Sequence, residues 1–172
     1  MTANWQQLIR NVPDFPQPGV QFKDITTMLR DGAAFRTVID VLVEQYRDQQ
    51  IDMVAGVESR GFIFSAPVAY QLGAGLVPIR KPSKLPAEVV EVNYSLEYGT
   101  NTLQMHADAF GPGARVLLLD DLLATGGTMA AAAKLVEQIG GVVVAMAFVI
   151  ELTYLDGRRL LGNYPVSSLV QY

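Results

Sequence analysis

The apolar positions of this chain recur with two different periods, and the switching between them sketches a fold. Phe35, Val38, Ile39, Leu42, Val43 and Tyr46 return at helical spacing, which predicts a helix from Gly32 to about Gln49 packed on one face. Ile51 to Val57 reads as a buried strand, Glu58 to Gly61 as a loop, the stretch to Leu72 as a helix, and Leu76 to Ile79 as a second short buried strand. The unbroken apolar run Val116 to Leu119 has the length and branching of a strand covered on both faces. The helix after it carries Met129, Ala132, Ala133, Val136 and Ile139 on one face, Gly140-Gly141 ends it, and Val142 to Ile150 is the next strand. Strand, turn, helix, strand is the rhythm of an α/β fold, so a mainly parallel twisted sheet flanked by helices is expected.

Two stretches break that rhythm. Asn4 to Val12 predicts a short helix that Pro13 ends, followed by an irregular arm through the turn-rich Asp14 to Gly19. Between Arg80 and Pro112, Val90, Val92, Tyr94 and Leu96 alternate with Glu91, Asn93, Ser95 and Glu97. A second alternating run, Thr102 to His106, follows a turn at Gly99-Thr100-Asn101, so a hairpin with one wet face is expected. With few core contacts at its tip it suits a movable lid, though an ordinary edge hairpin has the same pattern.

Composition narrows the chemistry. The 172 residues fit one domain, 1–172, and no segment approaches the ~20 uninterrupted apolar residues of a membrane span. Met1 to Gln7 has no basic region leading into a hydrophobic stretch, so a cytoplasmic location is expected. The chain has no cysteine and a single histidine, which removes thiol catalysis, His-based zinc sites and a Ser-His-Asp triad. A formal charge of −4 argues against general nucleic-acid binding. Carboxylates, cationic side chains and backbone groups remain.

They converge after Leu119. Asp120 and Asp121 are expected at the carboxyl end of the strand, where open parallel sheets place their ligands. Ala124-Thr125-Gly126-Gly127-Thr128 then opens a helix: small residues let backbone N–H groups turn toward an anion, two hydroxyls add donors, and the helix presents its positive end. A sugar phosphate fits this pattern, the neutral diol facing the acids. The loop alone would equally serve as a tight turn, and the acids as a solvated cap or as Mg²⁺ ligands. The string lacks the Gly-Lys-Ser/Thr ending of a P-loop and the three-glycine dinucleotide fingerprint.

Four hydrophobics, two acids, two hydrophobics and Ala-Thr-Gly-Gly-Thr resemble the phosphoribosyl diphosphate signature of the type I phosphoribosyltransferases. Such a donor carries two clusters of negative charge and needs a second anion site. Arg60, in Glu58-Ser59-Arg60-Gly61, can grip diphosphate oxygens, with Gly61 permitting close backbone approach. Arg80, Lys81 and Lys84 lie at the base and tip of the presumed lid, where they would offset leaving-group charge or merely solubilise the surface. Displacement at the anomeric carbon passes through a cation-like sugar, so leaving-group stabilisation outweighs a strong nucleophile.

Further segments narrow the resemblance to the adenine-using branch of that family: Val12 to Ile25, Glu58 to Phe62, Arg80 to Pro86, Tyr94 to Gly99, and Glu151-Leu152-Thr153. The resemblance implies transfer of the phosphoribosyl group to N9 of adenine, giving AMP and diphosphate in purine salvage, with Mg²⁺ held mainly by substrate and water near Asp120 and Asp121. It implies an N-terminal hood over residues 1–30, a flexible hairpin lid over 80–110, and a homodimer with Arg80 to Pro86 near the partner. In roles carried over by position, Phe22 stacks on adenine, backbone groups of Gln21 and Lys23 read its edge, and Leu152 covers the other face. Glu97 becomes the acid/base residue, with Arg60 and Lys84 also catalytic, and Glu58, Ser59, Arg60, Arg80, Lys81, Lys84 and Tyr98 surround the diphosphate. Ser83 stands where many members have glycine, and Lys23 where arginine is frequent.

Overall fold

Strand β3 (Met53–Val57) is the pivot of the computed structural model, which describes residues 4–96 and 99–172. It pairs in parallel with β4 (Gly75–Ile79) on one side and β7 (Arg115–Leu123) on the other. Beyond β7 lie β8 (Val142–Glu151) and β9 (Val166–Gln171), completing a five-stranded parallel sheet of order β4-β3-β7-β8-β9. From β3 the chain moves outward through α3 (Gly61–Leu72) to β4, then returns to the opposite side of β3. From β7 it moves outward through α4 (Gly127–Gln138) to β8. The loops after β3 and β7 therefore diverge and leave a crevice at the carboxyl ends, the place where such sheets bind ligands.

The acids are not at the strand's last residues, as expected from the apolar run: β7 continues through them to Leu123. The reason is unequal pairing. The β3 ladder stops at Leu119, whereas the β8 ladder carries β7 on to the pair Leu123↔Glu151. Asp120 and Asp121 thus stand where the sheet has lost one neighbour.

The core on the α4 side joins Leu118, Val116 and Phe148 of the sheet to Met129, Ala132, Leu135 and Val136 of the helix. The antiparallel hairpin β5 (Val89–Leu96) and β6 (Gly99–His106) adds Val92, Leu103 and Met105 to it. Its base is therefore anchored, further secured by the reciprocal backbone bonds of Arg80 and Gln104 at 2.9 and 2.8 Å. The pairing Leu96↔Gly99 puts Gly99, Thr100 and Asn101 within β6, not in the expected turn.

The chain divides into two compact units, Met1–Glu44 and Gln45–Tyr172. In the first, the expected helix before Pro13 is only a 3-10 turn, Trp5–Leu8, and the irregular arm is an antiparallel pair, β1 (Arg10–Pro13) and β2 (Gln21–Asp24). Asp14 and Gly19 turn the chain at φ 55 and 87, with the Gly19 N–H donating to Asp14 Oδ1 at 2.8 Å. A one-turn helix α1 (Thr26–Leu29) follows, then the 15-residue α2 (Gly32–Tyr46), which runs past the end of this unit and is capped by Asp31 Oδ1, which accepts from the Ala33 and Ala34 N–H groups.

Candidate active site

A cavity of about 470 Å³ occupies the crevice, lined from the β3 side by Glu58, Ser59 and Arg60, and from the β7 side by Asp120, Asp121, Ala124 and Thr128. A smaller hollow of about 70 Å³ adjoins the turn, lined by Ala124, Thr125, Gly126 and Thr128 together with Asp120 and the apolar Leu122, Leu123, Met129 and Phe148. Gly126 adopts φ +87, a conformation glycine takes without strain, and α4 begins at Gly127, so its unpaired N-terminal N–H groups point toward this turn. The Thr128 hydroxyl donates to the Tyr94 hydroxyl at 3.3 Å, linking the start of α4 to the hairpin.

The two carboxylates have different surroundings. Asp121, buried, accepts from Arg60 Nε–H in an ion pair that crosses from one loop to the other strand. Asp120 Oδ1 accepts from the Asp121 N–H at 2.8 Å. Burial of its carboxyl, reinforced by the charge of Asp121, raises the Asp120 pKa well above the ordinary carboxylate value. Packing also requires glycine at position 61: a Cβ there would lie 2.9 Å from Asp120 Oδ1 and 3.1 Å from the Leu119 carbonyl oxygen.

Across the cavity Glu58 is engaged by Arg80, Nε to Oε2 at 3.1 Å and Nη2 to Oε1 at 3.4 Å, and by the Lys81 N–H at 3.1 Å. Burial works to raise the Glu58 carboxyl, but these donors and the charges of Arg80 and Lys84 outweigh it and hold the pKa below the usual range. Arg80 also donates to the Lys84 carbonyl at 3.2 Å. Of these cations Lys81 lines the cavity, while the exposed Lys84 stands near it without lining it. Ser83 sits at φ 66, a conformation that glycine adopts more readily than serine.

Leu152 is buried just past β8, its N–H bonded to the Leu123 carbonyl at 2.9 Å, so it follows directly beside the phosphate-type turn. Phe22 belongs to the N-terminal unit, where Phe15 meets it edge-to-face at 5.1 Å and 75°. Gln21 and Lys23 flank it on β2. Glu97 and Tyr98 lie outside the described residues. Three features escaped sequence reasoning: the Glu58–Arg80 pairing, the cis Glu58–Ser59 peptide, and the place of Tyr94 and Asn101 in the cavity wall. Only the polar-apolar alternation of β5 and β6 hinted at the last.

Among the described residues no group of three or more His, Cys, Asp or Glu side chains gathers to hold a metal ion. The adjacent acids, one already paired with Arg60, suit a cation that takes most of its ligands from substrate oxygens and water.

A crevice at the switch point, flanked by an acid pair and a glycine turn opening a helix, is the ligand-binding place of an open parallel α/β sheet. Residues 25–160 match the phosphoribosyl transferase domain model, and the chain belongs to that family. Its place there is among the adenine phosphoribosyltransferases. The chain is 66% identical over 165 residues to the adenine phosphoribosyltransferase of Chloroflexus aurantiacus, covering 96% of this chain and 95% of the relative. The crystal structure of adenine phosphoribosyltransferase from Thermoanaerobacter pseudethanolicus superposes with TM-score 0.96 at 49% identity, over 100% of both chains. The Trypanosoma brucei enzyme, in complex with AMP, pyrophosphate and ribose-5-phosphate, gives 0.88 at 28% identity, over 97% of this chain and 78% of that one. The architecture is the type I phosphoribosyltransferase fold.

Proposed function

We propose that this chain transfers the 5-phosphoribosyl group from phosphoribosyl diphosphate to N9 of adenine, releasing diphosphate and making AMP for purine salvage. The observation that carries the reading is the glycine turn Ala124 to Thr128, which opens α4 in the wall of the crevice beside the Asp120-Asp121 pair. The 5′-phosphate sits on the turn and the start of α4, and the ribose hydroxyls face the acids. The two acids offer acceptors to the O–H groups of a diol.

The diphosphate lies toward Ser59, Arg60 and Lys81, whose backbone and cationic groups line the other side of the cavity. Charge building on it as the glycosidic bond breaks is offset there. Arg80 and Glu58 act as a linked pair, Glu58 fixing the guanidinium beside the site. Lys84, Tyr98 and the hairpin close over the leaving group and exclude water. Adenine recognition falls to Phe22, the backbones of Gln21 and Lys23, and Leu152. Adenine's N1 acceptor and N6 donors need only a backbone N–H and C=O, so no charged base reader is required. Glu97 takes the proton of the attacking base.

Mg²⁺ would serve with the donor, held mainly by substrate oxygens and water near Asp120 and Asp121; when bound it would neutralise diphosphate charge. The enzyme works as a cytoplasmic homodimer, one phosphoribosyltransferase domain per chain with residues 1–30 as its hood. No helix among the described residues is long and apolar enough to cross a membrane. Purified protein given Mg²⁺, phosphoribosyl diphosphate and adenine should yield AMP and diphosphate, resolved by chromatography; absence of AMP would refute the reading.

A further inference from the structure

The turn Ala124 to Gly127 rests on a second turn, at Gly157. A Cβ on Gly157 would collide with the Ala124 carbonyl oxygen and come within 3.0 Å of Leu123 Cδ1. A Cβ on Gly126 would collide in turn with the Gly157 carbonyl oxygen and lie 3.3 Å from Leu160 Cβ. The two glycines face one another backbone to backbone. Gly126 is required by its positive φ as well, but at Gly157 the contact alone excludes a side chain.

What fixes Gly157 is the residue after it. Arg158 grips Glu151 in a two-pronged pair, Nε to Oε1 at 2.6 Å and Nη2 to Oε2 at 2.7 Å, and donates to the Val166 carbonyl at 3.1 Å. Glu151 is buried, and Ser168 and Gln171 also donate to it, at 2.6 and 3.2 Å. It is the last residue of β8 and the ladder partner of Leu123, the residue just before the phosphate turn. A closed circuit results: Leu123, the turn, Gly157, Arg158, Glu151, and back across the sheet to Leu123. Neither Gly157, Arg158 nor Glu151 lines either cavity.

We propose that the segment 152–161, clamped by Arg158 and Glu151, is the template that shapes the phosphate turn, so that Gly157 and Arg158 are positioning residues for the phosphoribosyl donor. The inference rests on the reading of Ala124 to Thr128 as the 5′-phosphate site. A template of this kind acts through small displacements: a Cβ at 157 forces the Ala124 carbonyl, and the turn with it, to shift, and a loosened Arg158 lets the support drift.

The test is calorimetric titration of the full chain with phosphoribosyl diphosphate and Mg²⁺, on the wild type and on Gly157→Ala, Arg158→Lys and Glu151→Gln, with thermal melts alongside. Gly157→Ala should raise Kd about tenfold or more at unchanged stoichiometry, and the other two severalfold. A purely structural role would lower stoichiometry or melting temperature and leave Kd alone, which overturns the proposal. Should Gly157→Ala fail to fold, the two conservative variants decide by the same criterion. A wild type that binds no donor would instead refute the phosphate-site reading itself.

Discussion

Arg60 and Asp121, on the loop after β3 and on β7, form an ion pair across the mouth of the cavity, the arginine partly exposed and the aspartate buried. The pair ties the β3-side and β7-side walls of the cavity to one another. Removing Arg60 leaves a buried carboxylate without its charged donor, which should cost about 1–3 kcal/mol of stability. Arg60→Ala is therefore expected to lower the denaturant midpoint and weaken donor binding together. Asp121→Ala, measured by titration with phosphoribosyl diphosphate, should weaken binding by about tenfold or more; an unaltered affinity would give the acid pair another purpose.

Two carboxyls should leave opposite signatures in the pH dependence of stability. Asp120 titrates higher in the folded state than in the unfolded one, so its charge opposes folding progressively as pH rises. Asp120→Asn should melt higher than the wild type at neutral pH, the difference vanishing below about pH 4. Glu151 is pulled down to about 2 by Arg158, so its contribution is present above the ordinary glutamate range and lost as pH falls toward 2. Glu151→Gln should accordingly flatten the acid limb of the melting curve.

Helix α3 meets β3 too closely for any side chain at Gly56. A Cβ there would collide with the Ser65 hydroxyl and lie 2.8 Å from its Cβ, and that buried hydroxyl makes no hydrogen bond. Gly56→Ala should cost about 1–3 kcal/mol by overpacking. Ser65→Ala alone should be near neutral or stabilising, and the double variant should recover part of the loss in a chemical denaturation cycle.

Glu97→Gln separates binding from chemistry. The turnover number should fall by about a hundredfold or more while affinity for phosphoribosyl diphosphate stays within severalfold. An unchanged turnover number removes Glu97 from proton transfer.

Legibility in the sequence followed the range of the interaction. The strand, acid pair, glycine turn and helix of Val116 to Ile139 were readable because their chemistry is contiguous and their periodicity local. The N-terminal hairpin was not. Its partners Val12 and Phe22 are separated by a proline-rich turn, and four-residue strands carry too little alternation to be distinguished from a helix or an irregular arm. β9 was missed for a related reason: Ser167 and Ser168 interrupt its apolar pattern.

Pairings such as Arg60 with Asp121 and Arg80 with Glu58 depend on the parallel register of β3 with its two neighbours, Met53↔Val116 and Met53↔Gly75. Composition cannot supply that register. Gly61 shows the same limit in another form: the need for a glycine was visible, but what approaches it is the Leu119-Asp120 backbone and carboxyl, known only once the strands are paired.

The most direct test of the account is a comparison of kcat/KM for adenine, hypoxanthine, guanine and xanthine with purified protein, saturating Mg²⁺ and phosphoribosyl diphosphate. A site that pairs adenine's N1 and N6 through backbone groups should prefer adenine over each 6-oxopurine by about a hundredfold or more, with AMP as the product. Equal or greater efficiency on a 6-oxopurine, or no nucleotide formed from adenine, would contradict it.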